Sequence, residues 1–130
     1  MIGIDTNVII DLFKNDRNLI SLLEGIKETI ALNQICYLEL MFGLNPKNKK
    51  HNDEEIFYDN LFSSFPNLKL DNNSIKKSRE ILWELREIGK FIGGNDCMIA
   101  GIFLSNGVNK IITKNVKHFE NIKELKVISY

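Results

Sequence analysis

Ile2-Gly3-Ile4-Asp5-Thr6-Asn7-Val8-Ile9-Ile10-Asp11-Leu12-Phe13 decides the fold class. The apolar run from Ile2 to Ile4 stops at an acid, which reads as a short buried strand ending at Asp5. Val8, Ile9, Leu12 and Phe13 then recur at helical spacing. The period therefore switches from strand to helix across a single acidic residue.

The same alternation continues along the chain. Asp16 is placed to cap a second helix with Leu19, Leu22, Leu23 and Ile26 on its apolar face. Thr29 to Leu32 reads as a second strand, and Ile35 to Phe42 as a helix ended by Gly43 and Asn45-Pro46. After the polar, basic loop Pro46 to Asn52, Asp53 can cap a helix that turns Phe57, Leu61 and Phe65 to one side. Leu68 to Leu70 is a third short strand. Asp71 to Ser74 starts a long helix with Ile75, Leu82, Leu85 and Ile88 facing inward. Asp96 opens a helix that is apolar almost all round, the pattern of a helix in the middle of a fold. Lys110 to Thr113 and Lys126 to Ser129 are the fourth and fifth strands. Short strands separated by helices imply a parallel sheet with helices on both faces. The expectation is one α/β domain over residues 1–130.

Composition narrows the class. The 130 residues carry 17 Lys+Arg against 17 Asp+Glu, with 44% hydrophobic residues. Disorder and collagen-like sequence are excluded. The longest apolar stretch, Met98 to Leu104, falls far short of the roughly 20 residues a membrane span needs. Cys36 and Cys97 form neither a disulfide framework nor a zinc motif. With no signal-like leader, a cytoplasmic protein with no membrane contact is expected. Zero net charge argues against binding nucleic acid over the whole surface, yet leaves room for a local basic face.

Ligands of parallel α/β sheets sit outside the carboxyl ends of the strands. Asp5 follows the first strand, and Thr113 and Asn115 follow the fourth. Glu39 lies in the helix after the second strand, and Asp96 starts the central helix. Asp5 and Asp96 could be plain helix caps. Glu39 is harder to dismiss, because Ile35, Cys36, Phe42 and Gly43 surround it at helical spacing and a carboxylate buried there needs compensation. Together these acids form an all-oxygen set that suits Mg²⁺ or Mn²⁺, and such an ion favours phosphodiester hydrolysis.

Four blocks then stand out: Asp5-Thr6-Asn7-Val8-Ile9-Ile10-Asp11, Glu39-Leu40-Met41-Phe42-Gly43, Asp96-Cys97-Met98-Ile99-Ala100 and Thr113-Lys114-Asn115-Val116-Lys117-His118-Phe119. In order and spacing they resemble the motifs of PIN-domain ribonucleases, in particular VapC-type toxins of prokaryotic toxin–antitoxin pairs. The resemblance implies a three-layer α/β/α sandwich around a central parallel sheet of strand order 3-2-1-4-5. It implies a metal-dependent endoribonuclease that inhibits translation, with Asp5, Glu39, Asp96 and Asn115 as catalytic positions. Asp5, Asp96 and Glu39 would hold Mg²⁺ (or Mn²⁺), and Thr6, Asn7 and Thr113 would support them. Asn115 stands where the family carries Asp or Asn, which lowers the negative charge of the site. The implied partners are an RNA substrate (tRNA, rRNA or mRNA), a small antitoxin and a second copy of the chain in a homodimer.

Lys114, Lys117 and His118 lie where RNA phosphates are expected, with Lys47, Lys49, Lys50 and His51 on a nearby loop. Trp83 shares a polar helix face with Arg79, Glu80, Arg86 and Glu87, and partial burial is expected for it. A dehalogenase-like phosphatase needs a second Asp where Asn7 stands. A phosphoacceptor receiver domain wants paired acids beside Asp5. A PIN nuclease of RNA processing, or a PIN module that only binds RNA or protein, remains an alternative.

Overall fold

The computed structural model describes residues 1–130. Strand β1 (Ile2–Ile4) leads into helices α1 (Thr6–Phe13) and α2 (Arg17–Glu24), then β2 (Ile30–Asn33) and α3 (Gln34–Phe42). A short 3-10 turn (Lys49–His51) precedes α4 (Asn52–Ser64), β3 (Asn67–Leu68) and α5 (Asn72–Glu87). The chain closes with α6 (Gly94–Ser105), β4 (Lys110–Ile112), α7 (Val116–Phe119) and β5 (Lys126–Ile128). The five strands lie in the order β3-β2-β1-β4-β5, and every neighbouring pair is parallel. That is the expected 3-2-1-4-5 order. The strand order changes direction at β1, so its carboxyl end is the switch point where such sheets open a crevice. Asp5 occupies that end. No helix is long and apolar enough to cross a membrane.

Helices cover both faces of the sheet, which is why the central strands are rich in apolar residues. Ile2, Ile4, Ala31, Leu32, Ile111 and Ile112 are all buried. The central helix α6 lies so close that a Cβ on Gly3 would come 2.6 Å from the Phe103 ring.

The structure corrects the expected inner face of α5. Leu85 is buried as expected and Leu82 half-buried, but Ile75 and Ile88 are exposed, and Ser74, Ser78 and Ile81 are buried in their place. The cause is the close approach of α5 to α6 at Gly101, where a Cβ would collide with the Ser78 hydroxyl and lie 2.9 Å from the Ser74 carbonyl oxygen. Only small residues fit at such a crossing. Burial costs the two serines little because both are satisfied locally. Ser78 Oγ donates to the Ser74 carbonyl at 2.7 Å, and Ser74 and Asp71 exchange capping-box bonds. Gly101→Ala should therefore destabilise the protein by about 1–3 kcal/mol through overpacking. Thermal denaturation checks this, and an unchanged midpoint would mean that the helices separate freely.

Helix α4 also differs in detail. His51, not Asp53, holds the N-cap position, and its side chain makes no capping bond. Asp53 lies in the first turn with Glu54 and Glu55, where acids complement the helix dipole. Tyr58 and Phe62 form the fully buried face, with the expected Phe57 and Leu61 half-buried against the core and Phe65 exposed. Tyr58 tolerates burial because its hydroxyl donates to Glu54 Oε1 at 2.6 Å. Strand β3 pairs only over Asn67 and Leu68. Beyond it the Leu70 amide is taken by Gln34 Oε1 at 3.1 Å.

Candidate active site

Asp5 is the N-cap of α1 and 4% exposed, so its carboxylate needs partners. It has two: Oδ1 accepts from the Thr6 amide at 2.7 Å, and Oδ2 from the Thr113 hydroxyl at 2.9 Å. Thr113 Oγ1 in turn accepts from the Asn115 amide at 2.9 Å, which ties the end of β4 to the end of β1. Thr6 serves a second acid, since its hydroxyl donates to Glu39 Oε1 at 2.7 Å. Asp96, in the first turn of α6, faces His118, with Nδ1 2.9 Å from Oδ2. The acids arrive from three elements that meet only in the folded chain.

Asn33 also positions the site, and the sequence reading passed over it. It is buried, with Oδ1 accepting from the Ile35 amide at 2.9 Å and Nδ2 donating to the Ile99 carbonyl at 3.1 Å. One side chain thus joins the end of β2, the start of α3 that carries Glu39, and α6 that carries Asp96. An Asn immediately before a helical pattern is a capping signal that could have identified it.

The remaining expected residues divide. Asn115 is half-buried at the N-cap position of α7, where its side chain makes no capping bond. Asn7 is exposed and donates no hydrogen bond to the acids. Glu39 does not lie in a wholly apolar face: Ile35 and Cys36 are buried, but Phe42 is 83% exposed. The C-terminal end of α3 runs out of the core, so Glu39 stands at its margin. Lys114 turns away from the acids. Its ammonium pairs with Asp11 at 3.0 Å and Asp16 at 3.4 Å, and lies over the Tyr130 ring. Two carboxylates already balance the charge expected to meet RNA. Lys117 has no such partner, and His118 reaches into the acidic site itself.

Burial pushes the Asp5 carboxyl above its usual value; Thr113 and Thr6 oppose this, and the Glu39 charge adds to it. Asp96 is raised as well, by burial first, with His118 opposing and Asp5 and Glu39 reinforcing. Asp5 therefore feels the Glu39 charge, and Asp96 the charges of both Asp5 and Glu39. The Cys36 thiol beside them is held far above its ordinary range by burial, so it is no nucleophile.

The donor chemistry fits a hard divalent cation: oxygen only, with repulsion that a cation relieves. No three acidic, imidazole or thiol groups are drawn into a ready-made metal cage. Mg²⁺ does not require one, since it keeps several waters and binds through one or two carboxylates.

Fold and site together define an α/β/α sandwich with an acidic centre at the switch point of a parallel sheet. The PIN domain family model matches residues 2–125, and the chain belongs to that family. It is 29% identical over 97 residues to Ribonuclease VapC2 of Rickettsia felis, a match spanning 75% of this chain and 71% of that protein. A chain in the crystal structure of VapBC2 from Rickettsia felis bound to a DNA fragment from their promoter superposes with a TM-score of 0.85. It is 26% identical, with 100% of this chain and 99% of that one covered. A chain of VapBC-1 from nontypeable Haemophilus influenzae gives a TM-score of 0.80 at 28% identity, over 99% of this chain and 98% of that one.

Proposed function

We propose that this chain is a metal-dependent endoribonuclease and the toxin of a toxin–antitoxin pair. The observation that carries this reading is the meeting of Asp5, Glu39 and Asp96 at the carboxyl edge of β1, with Asp5 and Asp96 resisting ionisation. Likeness to Ribonuclease VapC2 and to chains of VapBC structures supports RNA as substrate and an antitoxin as partner. A homodimer, and tRNA, rRNA or mRNA as the target, follow from the family resemblance.

Asp5, Asp96 and Glu39 would hold Mg²⁺ or Mn²⁺. When bound, the ion supplies polarisation of the phosphoryl oxygen and offsets charge developing in the transition state. The chain's own groups do the positioning. Thr6 fixes Asp5 through its amide and Glu39 through its hydroxyl, so one residue sets the spacing of two acids. Thr113 holds the other Asp5 oxygen. Asn115 presents a neutral amide where another acid would repel the RNA phosphate. His118, held at Nδ1 by Asp96, has Nε2 as an acceptor in the neutral ring and as a donor to a phosphoryl oxygen only when the ring is doubly protonated.

Purified protein should cut total cellular RNA in Mg²⁺ or Mn²⁺ and lose that activity in EDTA. Full cleavage with EDTA present would overturn the metal mechanism.

A further inference from the structure

Two of the chain's three arginines and its single tryptophan lie in α5 at positions 79, 83 and 86, a spacing that puts them on one face. The Arg86 guanidinium lies over the Trp83 ring at 5.0 Å and over the Phe91 ring at 5.6 Å. Both rings are exposed, Trp83 by 55% and Phe91 by 61%. Trp83, expected to be partly buried, is more than half exposed, and Arg86 lies over one side of its ring.

Beside this stack is an open cleft of about 430 Å³, lined by Lys90, Phe91, Lys117, Glu120 and Asn121 among others. Lys90 and Lys117 reach it from different elements. None of the ion pairs in the chain uses Arg86, Lys90 or Lys117, although Glu84 and Glu87 share α5 with Arg86. Glu120 is the only acid lining the cleft, so cations prevail there. The corner also adjoins the acidic site. Lys117 directly precedes His118, whose ring meets Asp96. Phe91 lies just upstream of Asp96 across Gly93-Gly94, and the Arg86 charge is felt at Cys97, the next residue after Asp96.

We propose that this corner is a subsite for single-stranded RNA flanking the scissile bond. Trp83 and Phe91 take unstacked bases, and Arg86, Lys90 and Lys117 hold the phosphates. Aromatic faces next to arginine suit any base, and unpaired lysines suit the backbone. A concave, cation-rich surface fits a polyanion better than it fits an apolar protein face. The subsite deepens the nuclease reading and rests on it for what the bound RNA undergoes.

The single tryptophan is its own reporter. A mixed-sequence single-stranded RNA of about ten nucleotides, within the span of common single-strand sites, is titrated into the protein in EDTA, where binding is read without cleavage. Quenching of Trp83 emission is expected. Phe91→Ala and Arg86→Gln should each weaken binding about tenfold, the scale of losing one stacked base. Lys117→Ala should reduce the salt dependence by about one phosphate contact. In Mg²⁺ the first two variants should raise KM for RNA more than they lower kcat.

RNA that binds without quenching, and equally well to both ring-stack variants, overturns the subsite. So does a change in self-association by sedimentation with RNA affinity unaltered, which would make the corner a protein interface. Wild-type quenching with no cleavage in Mg²⁺ would leave the subsite standing and remove the nuclease reading. Cleavage without quenching would do the reverse.

Discussion

Asp5→Asn should lower RNA cleavage by at least about 10²–10³-fold, the scale of removing one preorganised electrostatic group from an active site, and yet make the metal-free protein more stable. The fold tolerates the change because its hydrogen bonds can be kept. The Asn oxygen still accepts from the Thr6 amide. Its amino group meets Thr113 Oγ1, a hydroxyl that can accept a second bond besides the one from the Asn115 amide. What disappears is a charge held in a buried place. The Asp5 carboxyl is raised by burial from its ordinary 3.8, so ionising it works against folding. The benefit of its protonated form is present in full below that ordinary value and is lost as pH climbs through the higher folded value. In EDTA the advantage of the variant should therefore be absent in strong acid and fully developed at neutral pH. Each 1 kcal/mol gained would show as roughly 2–8 °C in the melting midpoint. Expression of the chain alone is expected to arrest growth, and the same substitution should abolish that arrest. A variant that melts lower than wild type at neutral pH in EDTA would mean that Asp5 is a structural cap, and equal toxicity would point away from catalysis.

Glu39→Gln should leave the fold intact and remove most of the response to Mg²⁺. Gln keeps an oxygen to accept from the Thr6 hydroxyl, so the link between α3 and α1 survives. It loses the negative charge that attracts the cation. For wild-type protein, Mg²⁺ at a hundred times its dissociation constant should add about 2.7 kcal/mol by mass action. That corresponds to about 10 °C in a domain of this size. The variant should show a small fraction of that shift, with cleavage down in parallel. Identical Mg²⁺ shifts and undiminished cleavage would remove Glu39 from the site.

Much of the candidate site was legible because two of its acids, Asp5 and Asp96, stand at or near the starts of helices. Asp5 directly follows an apolar run, and Asp96 lies in the first turn of an apolar helix that starts at Gly94, so local pattern locates both to within a turn. The environment of each acid was less legible. Glu39 has Ile35, Cys36, Phe42 and Gly43 at helical spacing, which suggests burial, but Phe42 is 83% exposed because α3 leaves the core there. Sequence position sets His118 with Lys114 and Lys117 among the basic residues expected to meet RNA. Its bond to Asp96 depends on where α7 falls after β4, and no spacing within the chain encodes that.

The sequence by itself determined the strands, the longer helices, their order and the caps at Asp5, Asp16 and Asp71, because those depend on interactions within a few residues. The change of period at Asp5, the Asp16 bond to the Leu19 amide and the Asp71–Ser74 capping box are all of this kind. Tertiary structure alone decided which side of a helix is inside and which charges are free. The inner face of α5 follows from the close crossing at Gly101, which favours serine over isoleucine at the contact. Lys114 is withdrawn from the substrate side by Asp16, 98 residues away in sequence, while Lys117 and Arg86 keep their charges unpaired. Charge pairing and close packing act through space, and the sheet brings together partners that no local window of the chain contains.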